Sequence, residues 1–252
     1  MVVRLLIVLF IFVTSNALHA QSRRSQSRFV VDDFSDYEVG KFPGIGTEGW
    51  IISSYHFRTE VYTVQIEKGD KFLSAIVSKN IEKKKKASTI IKRVFKSRDE
   101  KGNIHFLMPK DYPILKWRWR VHELPQESDE RYEDAINGMK SDSAAGVYIY
   151  FHKEGQEPQI IKYVWSESLP VGTPPFQSPA SKDDFQPYIV IKRSGAGGLG
   201  QWIEETANIY EDFKKIYPGK EPPRIVGMGI LTDADSTDTS AHADYDDIRL
   251  TK

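Results

Sequence analysis

Asp233, Asp235, Asp238, Asp244, Asp246 and Asp247 crowd the region between an apolar run, Ile225 to Leu231, and an alternating stretch, Tyr245-Asp-Asp-Ile-Arg-Leu. A second acidic pair, Asp32-Asp33, opens Val30-Val-Asp-Asp-Phe-Ser-Asp. Clustered carboxylates repel one another unless a cation, a lysine or water separates them. Two readings follow. In one, Asp33, Asp233, Asp235 and Asp247 supply oxygens to a hard cation, with calcium as the candidate structural ion, since it takes six to eight oxygens from carboxylates and carbonyls. In the other, they are turn formers whose side chains cap their own backbone. Asp233-Ala-Asp-Ser-Thr-Asp begins like a calcium helix-loop-helix motif but places Asp238 where glycine is required, and probable strands flank it, so that motif is rejected.

Other chemistries find less support. The chain has no cysteine, which excludes thiol catalysis, disulfides and a lipoprotein anchor. No histidine pair has the i, i+4 spacing of a helical zinc site. No Gly-x-Ser-x-Gly elbow is present. Glu167, Asp184, Glu204 and Glu205 are candidate acids for glycoside cleavage, but that reaction needs two carboxyls about 5–10 Å apart, a spacing set in three dimensions. Trp50, Trp165 and Trp202 each fall near an expected loop or strand end and are the candidate ligand-stacking residues. The competing reading of each is a core aromatic. Trp117 and Trp119, two apart on one strand, read as core.

The elements that must position these groups read as strands. Ile114-Leu-Lys-Trp-Arg-Trp-Arg-Val alternates, with Leu115, Trp117, Trp119 and Val121 on one face and Lys116, Arg118 and Arg120 on the other. Tyr62–Ile66 and Phe72–Val77 alternate too, and Thr89–Phe95, Ala144–Phe151, Gln159–Trp165, Pro187–Arg193, Ile225–Leu231 and Ala243–Leu250 are apolar or β-branched. About ten strands with turn residues between them is the pattern of a sandwich or barrel. Leu169 to Pro187 is proline-rich and reads as an irregular surface loop. Trp202 to Tyr217 is expected to be the one helix, stopped by Pro218-Gly219, and the preceding Gly195-Ala-Gly-Gly-Leu-Gly a strand-to-helix turn.

Arg4, the apolar run Leu5 to Val13 and small residues through Ala20 read as a secretory signal over residues 1–20, cut after Ala17 or Ala20. Residues 21–28 read as a disordered polar tether and 29–252 as a single domain. The expected product is exported, periplasmic or secreted, and not transmembrane after signal cleavage. Lysine plus arginine, 35, equals aspartate plus glutamate, 35, so no global field points to nucleic acid. Lys83 to Lys86 reads as a solvated turn.

Asp32-Asp33-Phe34, Leu115-Lys-Trp-Arg-Trp, Ile161-Lys-Tyr-Val-Trp, Trp202 with Asn208 and Glu211-Asp-Phe, Met228-Gly-Ile-Leu-Thr-Asp-Ala-Asp-Ser-Thr and Tyr245-Asp-Asp-Ile together resemble the bacterial domain-of-unknown-function family three-zero-four-seven. The two ends resemble carbohydrate-binding jelly rolls of the galactose-binding type. That resemblance implies first and last strands lying side by side, a structural calcium near their junction, and Asp33 close to Asp247. The expected fold is thus all-β, an antiparallel jelly-roll β-sandwich with one helix near the C-terminus. The expected function is an exported, non-catalytic binding module for a glycan or other cell-envelope ligand. A polysaccharide-processing enzyme using paired carboxylates and a structural envelope protein are the alternatives.

Overall fold

The computed structural model describes residues 28–44, 49–52, 61–78, 90–95, 106–132, 141–178 and 186–252. The leader, most of the tether, Lys83 to Lys86 and Asp184 lie outside the described residues. Arg28, assigned by composition to the tether, opens the first strand.

The strands are β1 (Arg28–Asp32), β2 (Ile51–Ile52), β3 (Tyr62–Glu67), β4 (Asp70–Val77), β5 (Ile91–Val94), β6 (Ile114–Glu123), β7 (Ala145–His152), β8 (Gln159–Ser166), β9 (Phe176–Gln177), β10 (Tyr188–Ser194), β11 (Ile203–Asn208), β12 (Arg224–Leu231) and β13 (Ala241–Thr251). The helix α1 (Ile209–Ile216) follows β11. The strands form two sheets. The first runs β11-β6-β13-β4-β3, with β1 also paired to β13; the second runs β2-β5-β12-β7-β8-β10-β9. This is the expected jelly-roll sandwich. One pair, β8 with β10, is parallel, because the chain between them crosses over through the proline-rich loop and β9 rather than turning back as a hairpin.

The alternation in β6 sends Leu115, Trp117, Trp119 and Val121 into the core and leaves Arg118, Arg120 and His122 on the outer face. Across the interior the ring of Trp119 meets that of Trp165 at 5.9 Å, and Trp117 meets Tyr163 at 5.6 Å, so β6 and β8 join the two layers through aromatic side chains. The first and last strands do pair: Arg28 lies opposite Thr251 and Asp32 opposite Ile248.

The helix is shorter than its sequence suggested. Ile203 to Asn208 is strand, with Glu205 and Ala207 turned inward and Glu204, Thr206 and Asn208 outward, a period of two that six residues can satisfy as well as a helical period. The glycine-rich segment is therefore a strand-to-strand turn between the sheets, and Gly195, Gly198 and Gly200 take the positive φ its reversals require. The helix proper starts where the Asn208 side chain accepts a hydrogen bond from the Glu211 N–H at 3.1 Å. It buries Ile209, Phe213 and Ile216 against the sandwich, with Phe213 edge-on to Phe151 at 5.0 Å.

Candidate functional site

The structure divides the predicted carboxylates among separate places. Asp233 and Asp235 converge with Asp142, so that one oxygen of each lies within 4.8 Å of the others. Asp142 ties the loop down by accepting from Thr237 N–H at 2.6 Å and Ser236 N–H at 3.4 Å, while Asp233 N–H donates to Ser143 O at 3.0 Å. Burial, then the nearby Asp233 carboxylate, pushes the Asp142 pKa up to about 6. Behind them lies Lys162, fully buried, whose Nζ donates to Ser143 Oγ at 2.9 Å. Its charge faces Glu130, Asp233 and Asp142, and burial pulls its pKa down. Glu130 in turn accepts from Ser166 Oγ at 2.6 Å. These three aspartates could each give one oxygen to a cation, and nothing in the set selects calcium over the lysine-balanced network that the contacts describe.

Asp33 and Asp247 are not part of that cluster, which corrects the grouping expected from sequence. Both are accessible and engaged locally. Asp33 Oδ1 accepts from the Ser35 hydroxyl at 2.6 Å and the Ser35 N–H at 3.1 Å, and Asp247 pairs with Arg249 at 3.2 Å. The inward acid of the first pair is Asp32. It accepts from Phe34 N–H at 2.9 Å, Tyr37 OH at 2.8 Å and Trp50 Nε1–H at 2.8 Å, and it pairs with Arg93.

The tryptophans also separate. Trp50 is 1 % exposed and Trp165 0 %, the latter donating its Nε1–H to Gly195 O at 3.0 Å. Neither presents a ring face to solvent, so both are corrected from ligand candidates to core residues. Trp202 is half-buried on the outer face of the first sheet, with Arg118 and Arg120 at 4.8 and 4.7 Å from its ring and Phe72 edge-on at 5.5 Å.

What sequence reading missed is a cleft of about 880 Å³ at one end of the second sheet. It forms where the β7–β8 turn, β9, the start of β10 and the segment leaving α1 converge. Gln156, Gln159, Gln177 and Gln186 line it together with Tyr188 and Tyr217. Register fixes two of these, since Tyr188 lies opposite Gln177 in the β9–β10 pair. The two tyrosine rings meet edge-on at 5.2 Å, and Lys220 sits 5.7 Å over Tyr217. Burial and the neighbouring Tyr188 push the Tyr217 pKa up to about 12, so its hydroxyl stays neutral at any physiological pH. Of the cleft acids, Glu221 accepts from Lys214 Nζ and Tyr210 OH, both at 3.0 Å, and the Lys214 hydrogen bond holds its pKa down. Lysines, glutamates and prolines complete the lining. The only local sequence signal was the irregular Leu169–Pro187 segment, which supplies Gln177 and Gln186; the other walls come from distant segments.

Residues 49–249 match the family described as Protein of unknown function (DUF3047). Among curated proteins none matches the sequence. Solved structures superpose loosely. A family 11 carbohydrate-binding module of a cellulosomal cellulase of Clostridium thermocellum gives a TM-score of 0.37 at 9 % identity, covering 89 % of this chain and 94 % of that one. A non-crystalline-cellulose-specific module of family 28 gives 0.40 at 13 %, covering 88 % and 92 %. Endoglucanase 3 of Trichoderma harzianum, family GH12, gives 0.42 at 8 %, covering 86 % and 98 %.

Proposed function

This chain belongs to the DUF3047 family, whose description states no activity, and we propose that it is an exported, non-catalytic glycan-binding module that holds its ligand in the glutamine- and tyrosine-lined cleft. The lining chemistry of that cleft carries the reading. A sugar is neutral, offers many hydroxyls that both donate and accept, and has flat C–H faces. A glutamine amide matches the hydroxyls with two donors and an acceptor. A tyrosine supplies a flat apolar ring with a polar tip for the C–H face. The volume suits a short stretch of glycan chain and lies within the ordinary range of ligand sites.

A glycosidase needs one carboxyl with a raised pKa facing a second carboxylate. In the cleft Glu221 is held ionised by Lys214, which suits a nucleophile or base and not the acid, and the other carboxyl of the lining is Glu157. Glu204 and Glu205 point to opposite faces of β11 and pair with Arg249 and Arg193 respectively. Export rests on the leader-like sequence of residues 1–20 and is checked by N-terminal sequencing of protein recovered from the cell envelope.

The test is binding to an array of neutral plant, algal and bacterial polysaccharides, followed by calorimetry with oligosaccharides of whichever polymer binds. Gln177→Ala and Gln186→Ala are each expected to weaken binding about 5-fold, the worth of one net hydrogen bond. Trp202→Ala, on the other face of the sandwich, should leave affinity unchanged. Release of reducing ends by the purified protein, or binding indifferent to both glutamine changes, would sink the assignment.

A further inference from the structure

The outer face of the first sheet carries a second constellation, drawn from β4, β6 and β13 and separate from the cleft. Asp244 of β13 is 2 % exposed although it faces outward, because β6 and β4 flank it and their side chains cover it. Its Oδ2 accepts from Arg120 Nε at 2.9 Å and lies 2.7 Å from His122 Nε2. Its Oδ1 has no hydrogen-bond partner and lies 3.4 Å from His242 Nε2. The two imidazoles stack with centroids 4.1 Å apart and planes 20° apart. Both present Nε2 to the one carboxylate. Ser74 Oγ lies 3.2 Å from His242 Nε2 and is near enough to the Asp244 carboxylate to help hold its pKa down.

A β-bulge makes this arrangement. In the β6–β13 register Ala243 lies opposite Val121 and His242 opposite Glu123, so His122 is the extra residue of β6. Bulges re-aim side chains in this way. Here His122, the last of the outward row after Arg118 and Arg120, is set against the ring of His242.

We propose that His122, His242 and Asp244 bind a divalent transition-metal ion of the zinc class, through the two Nε2 atoms and the carboxylate. One nitrogen from each histidine and a carboxylate oxygen lie within 4.8 Å of one another, and because a ring nitrogen's lone pair lies in the ring plane, one imidazole turns out of the stack to bring both onto a single ion. Imidazole nitrogen with a carboxylate is a donor set suited to zinc and its neighbours, whereas calcium takes six to eight oxygens. Oδ1, buried and 3.4 Å from His242 Nε2, has the lone pair that a cation taking the place of the imidazole proton would use. Arg120 holds the other oxygen and orients the carboxylate, the part outer partners play in metal sites, and its charge is balanced by Glu67 at 2.9 Å. His122 and His242, 32 % and 28 % exposed, leave the ion a path in and room for water as a further ligand.

The test uses tag-free full chain, stripped with chelator and titrated with Zn²⁺ by calorimetry and with Co²⁺ by visible absorption. One ion per chain is expected, with ligand-field bands for Co²⁺. His242→Ala and His122→Ala are each expected to weaken Zn²⁺ binding about 10-fold or more while the strand circular dichroism is unchanged. His122→Ala carries the result if His242→Ala fails to fold, because that side chain is the more exposed of the two. Asp142→Asn, in the acidic cluster, should leave Zn²⁺ affinity unchanged. Absence of Zn²⁺ binding, binding that survives both histidine changes, or binding lost with Asp142→Asn would overturn the proposal.

Discussion

The ring of Tyr188 meets that of Tyr217 edge-on, centroids 5.2 Å apart and planes at 73°, and so ties the first residue of β10 to the C-cap of α1. One wall of the cleft is therefore built by a sheet and the other by the end of a helix. Tyr217 also leans on Phe213 at 4.7 Å, which anchors it to the core. Tyr217→Ala is expected to cost about 2 kcal/mol of stability and to weaken glycan binding more than Gln177→Ala does. Tyr217→Phe keeps the ring but removes the hydroxyl that the Ile160 backbone hydrogen-bonds, and should lower the melting temperature less than Tyr217→Ala does. Wild-type affinity in a folded Tyr217→Ala protein would remove the aromatic wall from the account.

Asp142 should make stability fall as pH rises. Its pKa is about 6 in the folded chain against 3.8 for the free side chain, so the folded state binds the proton more tightly than the unfolded one. The stability this contributes is fully present below pH 3.8 and is lost as pH rises through 6. Asp142→Asn removes that dependence. The amide oxygen can keep the 2.6 Å contact from Thr237 N–H and gives up the 3.4 Å one from Ser236 N–H. A gain on the order of 1–2 kcal/mol is expected at pH 8 and none at pH 4. Denaturant melts at the two pH values decide it, and parallel curves for variant and wild type would contradict the sign.

Lys162 is the cation that keeps Glu130, Asp142 and Asp233 tolerable inside the protein. Lys162→Met fills similar volume but leaves those carboxylates unbalanced, and a loss of about 3–5 kcal/mol is expected. Gly146 packs against this lysine so closely that a Cβ there would meet its Cε at 2.8 Å. Gly146→Ala should then cost less than Lys162→Met, because a flexible side-chain end can shift. The reverse order in urea midpoints would show the lysine to be a passenger.

Trp50 is a structural donor to Asp32 and has no part in ligand binding. Trp50→Phe keeps most of the ring stacked on Phe34, now 6.1 Å away and 19° from parallel, but removes the N–H that Asp32 Oδ2 accepts. A loss of about 1–3 kcal/mol is expected, with glycan affinity and Zn²⁺ affinity both unchanged. Calorimetry on the folded variant checks both.

Local pattern alone specified a good deal. The alternation from Ile114 to Val121 identified β6, its core face and its basic outer face, because side chains two apart must share a side of an extended chain. The same rule misled over Trp202 to Tyr217, where the apolar spacing of Ile203 and Ala207 fits either period and pairing with β6 chose strand. In the Asp32-Asp33 pair the acid nature was legible, but which of the two turns inward depended on the register of β1 against β13, since one residue's slip exchanges the faces. The cleft and the histidine pair were beyond such reading. Gln159, Gln177 and Gln186 belong to different strands and loops, and His122 reaches His242 only through a bulge and the docking of β6 on β13. Periodicity along a chain is enforced by each residue's own backbone, so it is written locally, whereas the meeting of side chains from separate strands is set by pairing register and sheet packing, which only the whole folded chain decides.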